Sequence, residues 1–474
     1  MKPKKVYLHV ASLLIGVSTL STSAISLADD NDELARLRAQ VQELDQKIRV
    51  LDRKQEISAE ETAAQQKQAP VLVAGDHGFA LRSADGNFEY RLRGLLQVDH
   101  RNYFDDAGDS PNGFTARRIR PTFEGTLFGK YGFRFTPEFG EGVNRAQDSG
   151  NTARVVDAYA DANFERWIKL RVGKFKPFVG LERLQSGSAI KFIERSYVSN
   201  NILPNRDLGA SVFGKLFDDR LEYAVGIFNG VNDGAESTTL LDTNDDKDYA
   251  VRVFATPFAE SDSALAGLGL GIAATYGDAN GTTANRGVTG GYKTPGLSAS
   301  NFFALNNDVV GDGRRFRWTP QAYYYHGPLG VLAEYASVST DVHNATSHGN
   351  VDSDAWQVAA TWLLTGEDAS FKEVKPKQPF ETGKSGWGAW EVVARYQQQE
   401  IDDDAFDQGY ANPTTSAKSA KTWGAGLNWY LNQWVKLAVN YEQTRFEQGG
   451  GGSLTNPQDR EDERVLLSRL QFSF

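Results

Sequence analysis

Six arginines and a lysine fall at alternate positions of short segments: Arg91 and Arg93, Arg118 and Arg120, Lys169 and Arg171, with Arg134 alone. On an extended strand, residues two apart share a face. A face of guanidinium and ammonium groups creates a positive field that lowers the barrier for an anion beside it. Guanidinium also offers planar paired donors that match phosphate oxygens. Glu89, Asp99, Glu124, Glu138, Asp157 and Asp161 fall on the same faces, so the surface is mixed in sign. Arg117 falls on the face opposite Arg118 unless a bulge turns it. Covalent chemistry has little to work with. There is no Cys, hence no thiol nucleophile, thiolate metal site or disulfide. His100, His326, His343 and His348 have no Ser partner on a shared polar face, so no enzyme is expected. No metal ligand set or cofactor site is expected either; the Asp runs at 242–248 and 402–404 read as solvated. The net charge of −10 gives no reason to expect nucleic acid as a partner.

The elements that must hold these side chains are strands. From Phe88 onward the chain repeats an alternating segment, a short turn, another alternating segment and a long polar loop. Segments near 88–101, 116–127, 132–139, 155–163, 167–175, 208–216, 221–228, 249–256, 265–276, 315–325, 330–338, 355–364, 387–399, 421–430, 434–445 and 464–474 number about sixteen. One face of the first carries Phe88, Tyr90, Leu92, Leu96 and Val98. The last sets Leu466, Leu470, Phe472 and Phe474 against Arg469, Gln471 and Ser473. Hydrophobic residues are 40% of the chain, and the part after residue 28 has no apolar run as long as a spanning helix. Apolar-out, polar-in strands in even number define an all-β fold, a transmembrane antiparallel β-barrel of about 16 strands. Short connections (129–130, 164–166, 218–220) belong on one side and long ones (229–248, 277–314, 400–420, 446–463) on the other. One connection on the short side, 365–386, is anomalously long. Tyr103, Phe104, Trp167, Trp362, Trp387, Trp429, Tyr430 and Trp434 are expected at the membrane interfaces. Pro121, Pro137, Pro257 and Pro320 each remove a ladder donor, so bulges or strand ends are expected there.

Three regions precede the barrel (76–474). Residues 1–28 read as an export signal: Lys2, Lys4 and Lys5, an apolar stretch 6–17, then Ser26-Leu27-Ala28 as a small-x-small cleavage site. Residues 29–57 hold heptads, with Leu34, Val41 and Ile48 at a and Leu37, Leu44 and Leu51 at d, the pattern of a short N-terminal coiled-coil helix. Residues 58–75, rich in Ala, Gln and Glu, read as a linker. β-branched a with Leu d leans toward two strands.

Several segments in order resemble the phosphate-selective porin O/P family. They are Ala116-Arg117-Arg118 leading to Phe123-Glu124-Gly125-Thr126, Val172-Gly173-Lys174-Phe175 through Gly180-Leu181-Glu182-Arg183, Leu364-Thr365-Gly366-Glu367, Gly388-Ala389-Trp390-Glu391 with Ala394-Arg395-Tyr396, and Asn428-Trp429-Tyr430. The resemblance implies a trimeric outer-membrane porin of sixteen strands, passing small anions such as phosphate by diffusion, with no cofactor. It implies that Arg117 and Arg118 are paired central arginines, Asp157 their acidic partner, Arg183 the constriction-loop cation and Ser186 a serine beside that loop. The expected anion-binding constriction is thus Arg117, Arg118, Arg120, Asp157, Arg183 and Ser186, with Arg91, Arg93, Arg134, Lys169 and Arg171 as further lumen cations. Arg120 stands where the phosphate-specific members carry Tyr, and 277–314 is poor in the arginines those members use as a ladder. A non-selective small-solute porin, or an envelope tether acting through the coiled coil, are the alternatives. Lipid, lipopolysaccharide, a homotrimer partner and the barrel-assembly machinery, reading Phe474, complete the expected contacts. The coiled coil is expected in the periplasm.

Overall fold

The computed structural model describes residues 29–75, 78–104, 110–140, 153–238 and 245–474. The expected export signal lies outside them. Two units are distinct, 1–69 and 70–474. In the first, helix α1 spans Asp29–Gln68. Glu43–Lys47 (2.7 Å) and Asp45–Arg49 (2.9 Å) bridge successive turns, a pairing that adds a few tenths of a kcal/mol each. Leu34, Leu37, Val41, Leu44, Ile48 and Leu51 are all exposed. The helix continues through the stretch read as a linker. Its Glu-Glu-Thr-Ala-Ala-Gln-Gln run is helix-favouring, and Pro70 stops it. Residues Val71–Gly75, also read as linker, form a strand paired with Gly78–Arg82.

The described residues of the second unit hold nineteen strands. Three are short additions to the wall: Gly78–Arg82 pairs with residues 89–92, Val71–Gly75 with Gly78–Arg82, and Asn456–Asp459 with residues 450–453. The remaining sixteen are β1 (Glu89–Phe104), β2 (Gly113–Leu127), β3 (Tyr131–Glu138), β4 (Arg154–Glu165), β5 (Ile168–Phe175), β6 (Asp207–Leu216), β7 (Leu221–Phe228), β8 (Asp248–Ala255), β9 (Leu268–Asp278), β10 (Val310–His326), β11 (Leu329–His343), β12 (His348–Leu363), β13 (Ala389–Ile401), β14 (Ala417–Tyr430), β15 (Val435–Ser453) and β16 (Glu463–Ser473). Every neighbouring pair is antiparallel. β16 closes on β1 from Arg464↔Phe104 to Ser473↔Leu95, leaving no unpaired edge among the described wall strands, as a hydrocarbon surrounding demands. Phe474 locks the seam: its N–H donates to Gly94 O (3.0 Å) and its carbonyl accepts from Gly94 N (2.9 Å). Gly94 has room for no side chain, since a Cβ would stand 2.4 Å from the Phe474 ring.

The alternation sorts the wall. Val172, Val225, Ile227, Val251, Val253, Leu270, Ile272, Val439 and Leu470 are exposed on the outside. Covering such a side chain with lipid instead of water is worth about 1.5–3 kcal/mol. Trp167, Trp362, Trp387 and Trp434 also face outward. Tyr103 and Tyr430 do not. They point inward, where Tyr103 donates to Gly296 O (2.8 Å) and Tyr430 to Glu391 Oε2 (2.7 Å). Their positions near strand ends match a girdle, but their face is the lumen. Pro137 sits at a register shift between β3 and β4, and Pro257 lies just past β8. Pro121 and Pro320 stay in register opposite Gly94 and Ile272.

Candidate functional site: the lumen constriction

The connection between β5 and β6, residues 176–206, folds inward and is almost wholly buried. It contains one turn of α-helix, α2 (Leu181–Leu184), and a turn of π-helix at Val198–Ile202. Lumen side chains of the wall grip its backbone. Glu334 accepts from Leu181 N (2.5 Å) and Glu182 N (3.1 Å). Gln397 and Asn440 accept from Tyr197 N (3.0 Å) and Ile193 N (2.7 Å). Asn428, Arg395 and Arg469 donate to the carbonyls of Lys191 (2.9 Å), Glu194 (3.0 Å) and Ile193 (2.7 Å). Loop backbone groups left buried without these partners would cost about 1–3 kcal/mol each. Two further segments meet this loop. From 364–388, Phe371 O accepts from Gln185 Nε2 (2.8 Å) and Glu373 accepts from Ser188 Oγ (2.6 Å). From 279–309, Lys293 O accepts from Asn201 Nδ2 (2.9 Å), and Phe302 packs on Tyr197. The anomalous length of 365–386 thus has a structural use.

Where β1 meets β2 the register slips: Gln97 faces Arg118, Val98 faces Ala116, and Arg117 is the extra residue. This bulge turns Arg117 inward beside Arg118, both buried. Arg117 grips Glu194 through Nε (2.6 Å) and Nη2 (3.1 Å). Arg101 reaches the same carboxylate (3.2 Å), and Arg469 holds Asp99 through two bonds (2.6 and 2.7 Å). Burial pushes the Glu194 carboxyl up, but the charges and hydrogen bonds of Arg117, with Arg101 and Arg118, outweigh it and hold it well below the carboxylate range. Arg118 donates to Gln97 Oε1 (2.5 Å) and has no ion-pair partner among the described residues.

A second cationic group sits within the loop. Lys176 donates to the carbonyls of Arg183 (2.7 Å) and Gln185 (2.9 Å), Arg183 to Ser199 O, and Arg195 to Gln185 O (2.8 Å). None of the three has an ion-pair partner among the described residues. Burial, then the neighbouring charges of Arg195 and Arg206, push Arg183 down to about 9. A guanidinium in a protein keeps its proton, so Arg183 stays cationic. Arg206, beside them, is neutralised by Asp157 (2.9 Å).

The expected site residues therefore divide. Arg117 and Arg118 stand together. Asp157 partners Arg206 rather than the paired arginines, and the loop brings Glu194 to Arg117 in its place. Arg183 joins Lys176 and Arg195. Arg120 is paired with Glu138. Ser186 is exposed, its hydroxyl 2.7 Å from that of Ser188. Arg91, Arg93, Arg134, Lys169 and Arg171 line β1, β3 and β5, partly exposed. Four of them meet carboxylates: Arg91–Glu89 (2.5 Å), Arg93–Glu124 (3.7 Å), Arg134–Glu124 (2.5 Å) and Arg171–Asp161 (2.7 Å). Sequence reasoning missed Glu194, Arg101, Lys176, Arg195 and Arg206. Arg101 could have been found, two residues beyond Asp99 on its strand face; the others lie in or beside a loop without period.

A closed barrel with an inward loop and a charged lumen is a transmembrane channel of the outer-membrane porin class. A sequence-family model described as Phosphate-selective porin O and P matches residues 88–474, and the chain belongs to that family. It is similar to Porin O of Pseudomonas aeruginosa, 24% identical over 86% of this chain and 93% of the relative. In fold it is similar to the outer membrane channel DcaP of Acinetobacter baumannii (TM-score 0.53, 13% identity, covering 85% of this chain and 100% of that one). It is also similar to Salmonella typhi OmpF, solved in complex with daunomycin (TM-score 0.51, 14% identity, 85% and 100%).

Proposed function

We propose that the channel passes small anions, phosphate among them, by passive diffusion, and catalyses no reaction. The observation that carries this is a set of three buried arginines, Arg118, Arg183 and Arg195, beside the half-buried Lys176, with no ion-pair partner among the described residues. Carbonyl and amide oxygens hold them in place without cancelling their charge, which leaves an attraction for a passing anion. Carboxylates beside Arg91, Arg93, Arg134 and Arg171 moderate the field, so phosphate binds weakly. Arg117, Arg118 and Arg183, with Arg120, Asp157 and Ser186 around them, make the constriction.

The chain works as a homotrimer, as the family resemblance implies, with α1 in the periplasm associating through its exposed heptad face. Phe474 is the residue that the assembly machinery reads, and lipid and lipopolysaccharide cover the outer wall. Reversal potentials of the reconstituted protein in a potassium chloride gradient test the central claim. Anion preference is expected, with weak phosphate block of chloride current. Equal cation and anion permeability, unaltered by Arg117→Ala, Arg118→Ala and Arg183→Ala, would leave a non-selective channel.

A further inference from the structure

Away from the constriction, at the end of the barrel that carries the long loops, two histidines face each other across a hairpin. His343 ends β11, His348 begins β12, and they are register partners. Their imidazoles stack at 5.1 Å with 18° between the planes. A third residue is brought to them by a defect in the next strand. The β10–β11 ladder breaks between Gly311 and Arg315, and Gly313 takes a positive φ of 128°. That irregularity places Asp312 over the pair, with Oδ2 3.0 Å from His348 Nδ1 and 3.5 Å from His343 Nδ1. The three donor atoms all lie within 4.8 Å of one another. His343 Nδ1 is shielded from solvent and makes no hydrogen bond.

We propose that Asp312, His343 and His348 form a binding site for a borderline transition-metal cation of the Zn2+ type. With metal–ligand bonds of about 2.0–2.2 Å, two ligands of a tetrahedron stand roughly 3.4 Å apart. Both carboxylate–imidazole separations are close to that value. Two imidazoles and one carboxylate suit Zn2+, Ni2+ or Cu2+, with water completing the coordination. They do not suit Ca2+ or Mg2+, which want an all-oxygen shell. The shielded nitrogen of His343 gains the partner it lacks. A bound ion ties β10 to the tip of the β11–β12 hairpin and sets positive charge at the rim. None of this depends on which solute the pore passes.

The test is Zn2+ titration by isothermal calorimetry of the full-length protein in detergent, purified without a polyhistidine tag. Saturable binding of one Zn2+ per chain is expected, displaced by Ni2+ and not by excess Ca2+. His343→Gln with His348→Gln should remove it, and Asp312→Asn should weaken it at least about tenfold. Both variants alter exposed or half-exposed rim residues, and an unchanged far-ultraviolet dichroism spectrum confirms their fold. No saturable binding, equal displacement by Ca2+, or wild-type affinity in the folded double variant would each overturn the assignment.

Discussion

Glu194 is the most consequential single carboxylate in the lumen, and Glu194→Gln the most informative change. It receives two bonds from Arg117 and one from Arg101, and Arg469 lies 3.6 Å away. Removing one partner of a buried pair while leaving the other costs about 3–5 kcal/mol. Here the loss falls on the docking of 176–206 against β1 and β2, since Glu194 is that loop's charged contact with both. A released Arg117 then adds an uncompensated cation to the lumen. One charge about 4 Å from an ion path contributes on the order of 1–4 kcal/mol, from bulk water to an effective dielectric near 20. Each 1.4 kcal/mol is tenfold, so anion-to-cation permeability should rise several-fold or more. Conductance should become noisier as the loop loosens. The assay is single-channel recording with reversal potentials in a salt gradient, alongside limited proteolysis of the purified protein. Arg117→Ala should by itself restore neither loop nor selectivity. Combined with Glu194→Gln it should lie nearer the wild type than the Glu194 change alone, because no unpaired charge remains on Arg117. Wild-type conductance and protease resistance in Glu194→Gln would refute the clasp, and strict additivity of the two changes would refute their coupling.

Arg118→Ala should lower anion preference several-fold, whereas Arg445→Ala, an exposed arginine on β15, should leave the reversal potential unchanged. The Glu194 carboxyl is depressed in the folded state from its ordinary value of about 4.5. Its contribution is therefore fully present above that value and lost as pH falls through the folded one. Anion preference should hold steady from pH 7 to about pH 4 and, as in Glu194→Gln, rise only in stronger acid as Arg117 is released; a wild-type transition centred near pH 5–6 would contradict the pairing. Leu37→Asp with Leu44→Asp should abolish self-association of a 29–60 peptide, measured by sedimentation, while the full chain still runs as a trimer on unheated gels. Loss of full-length trimers would make α1 the main assembly element.

Period-two alternation made the barrel legible, because lipid outside and water inside impose opposite polarity on successive residues. All sixteen segments read from residue 88 onward correspond to wall strands. What alternation cannot carry is a defect in itself. Arg117 reads as outward-facing until the slip opposite Gln97 turns it, and only the pairing reveals that slip. The loop 176–206 was legible at Arg183 and Ser186 through family resemblance, yet its partners were not. Gln397, Asn428 and Asn440 look like ordinary lumen polar residues, and Glu194 sits in a stretch without period. Their roles arise from contacts spanning hundreds of residues, such as Ile193 with Asn440. The helix past residue 57 was obscured for another reason: a composition of Ala, Gln and Glu suits a solvated helix as well as a tether.

The wall holds the constriction loop largely by its peptide groups. Glu334, Gln397, Asn428 and Asn440 bind backbone N–H or carbonyl atoms that every non-proline residue possesses. Loop side chains such as Arg183 and Ser186 can then be exchanged without dissolving the scaffold, while the wall positions that clamp it cannot. Natural variation within such pores should be lopsided: solute preference drifts through the loop, and the clamping strands stay nearly fixed. An engineer wishing to change what the pore admits would therefore begin with the loop's side chains and leave the glutamines and asparagines opposite untouched.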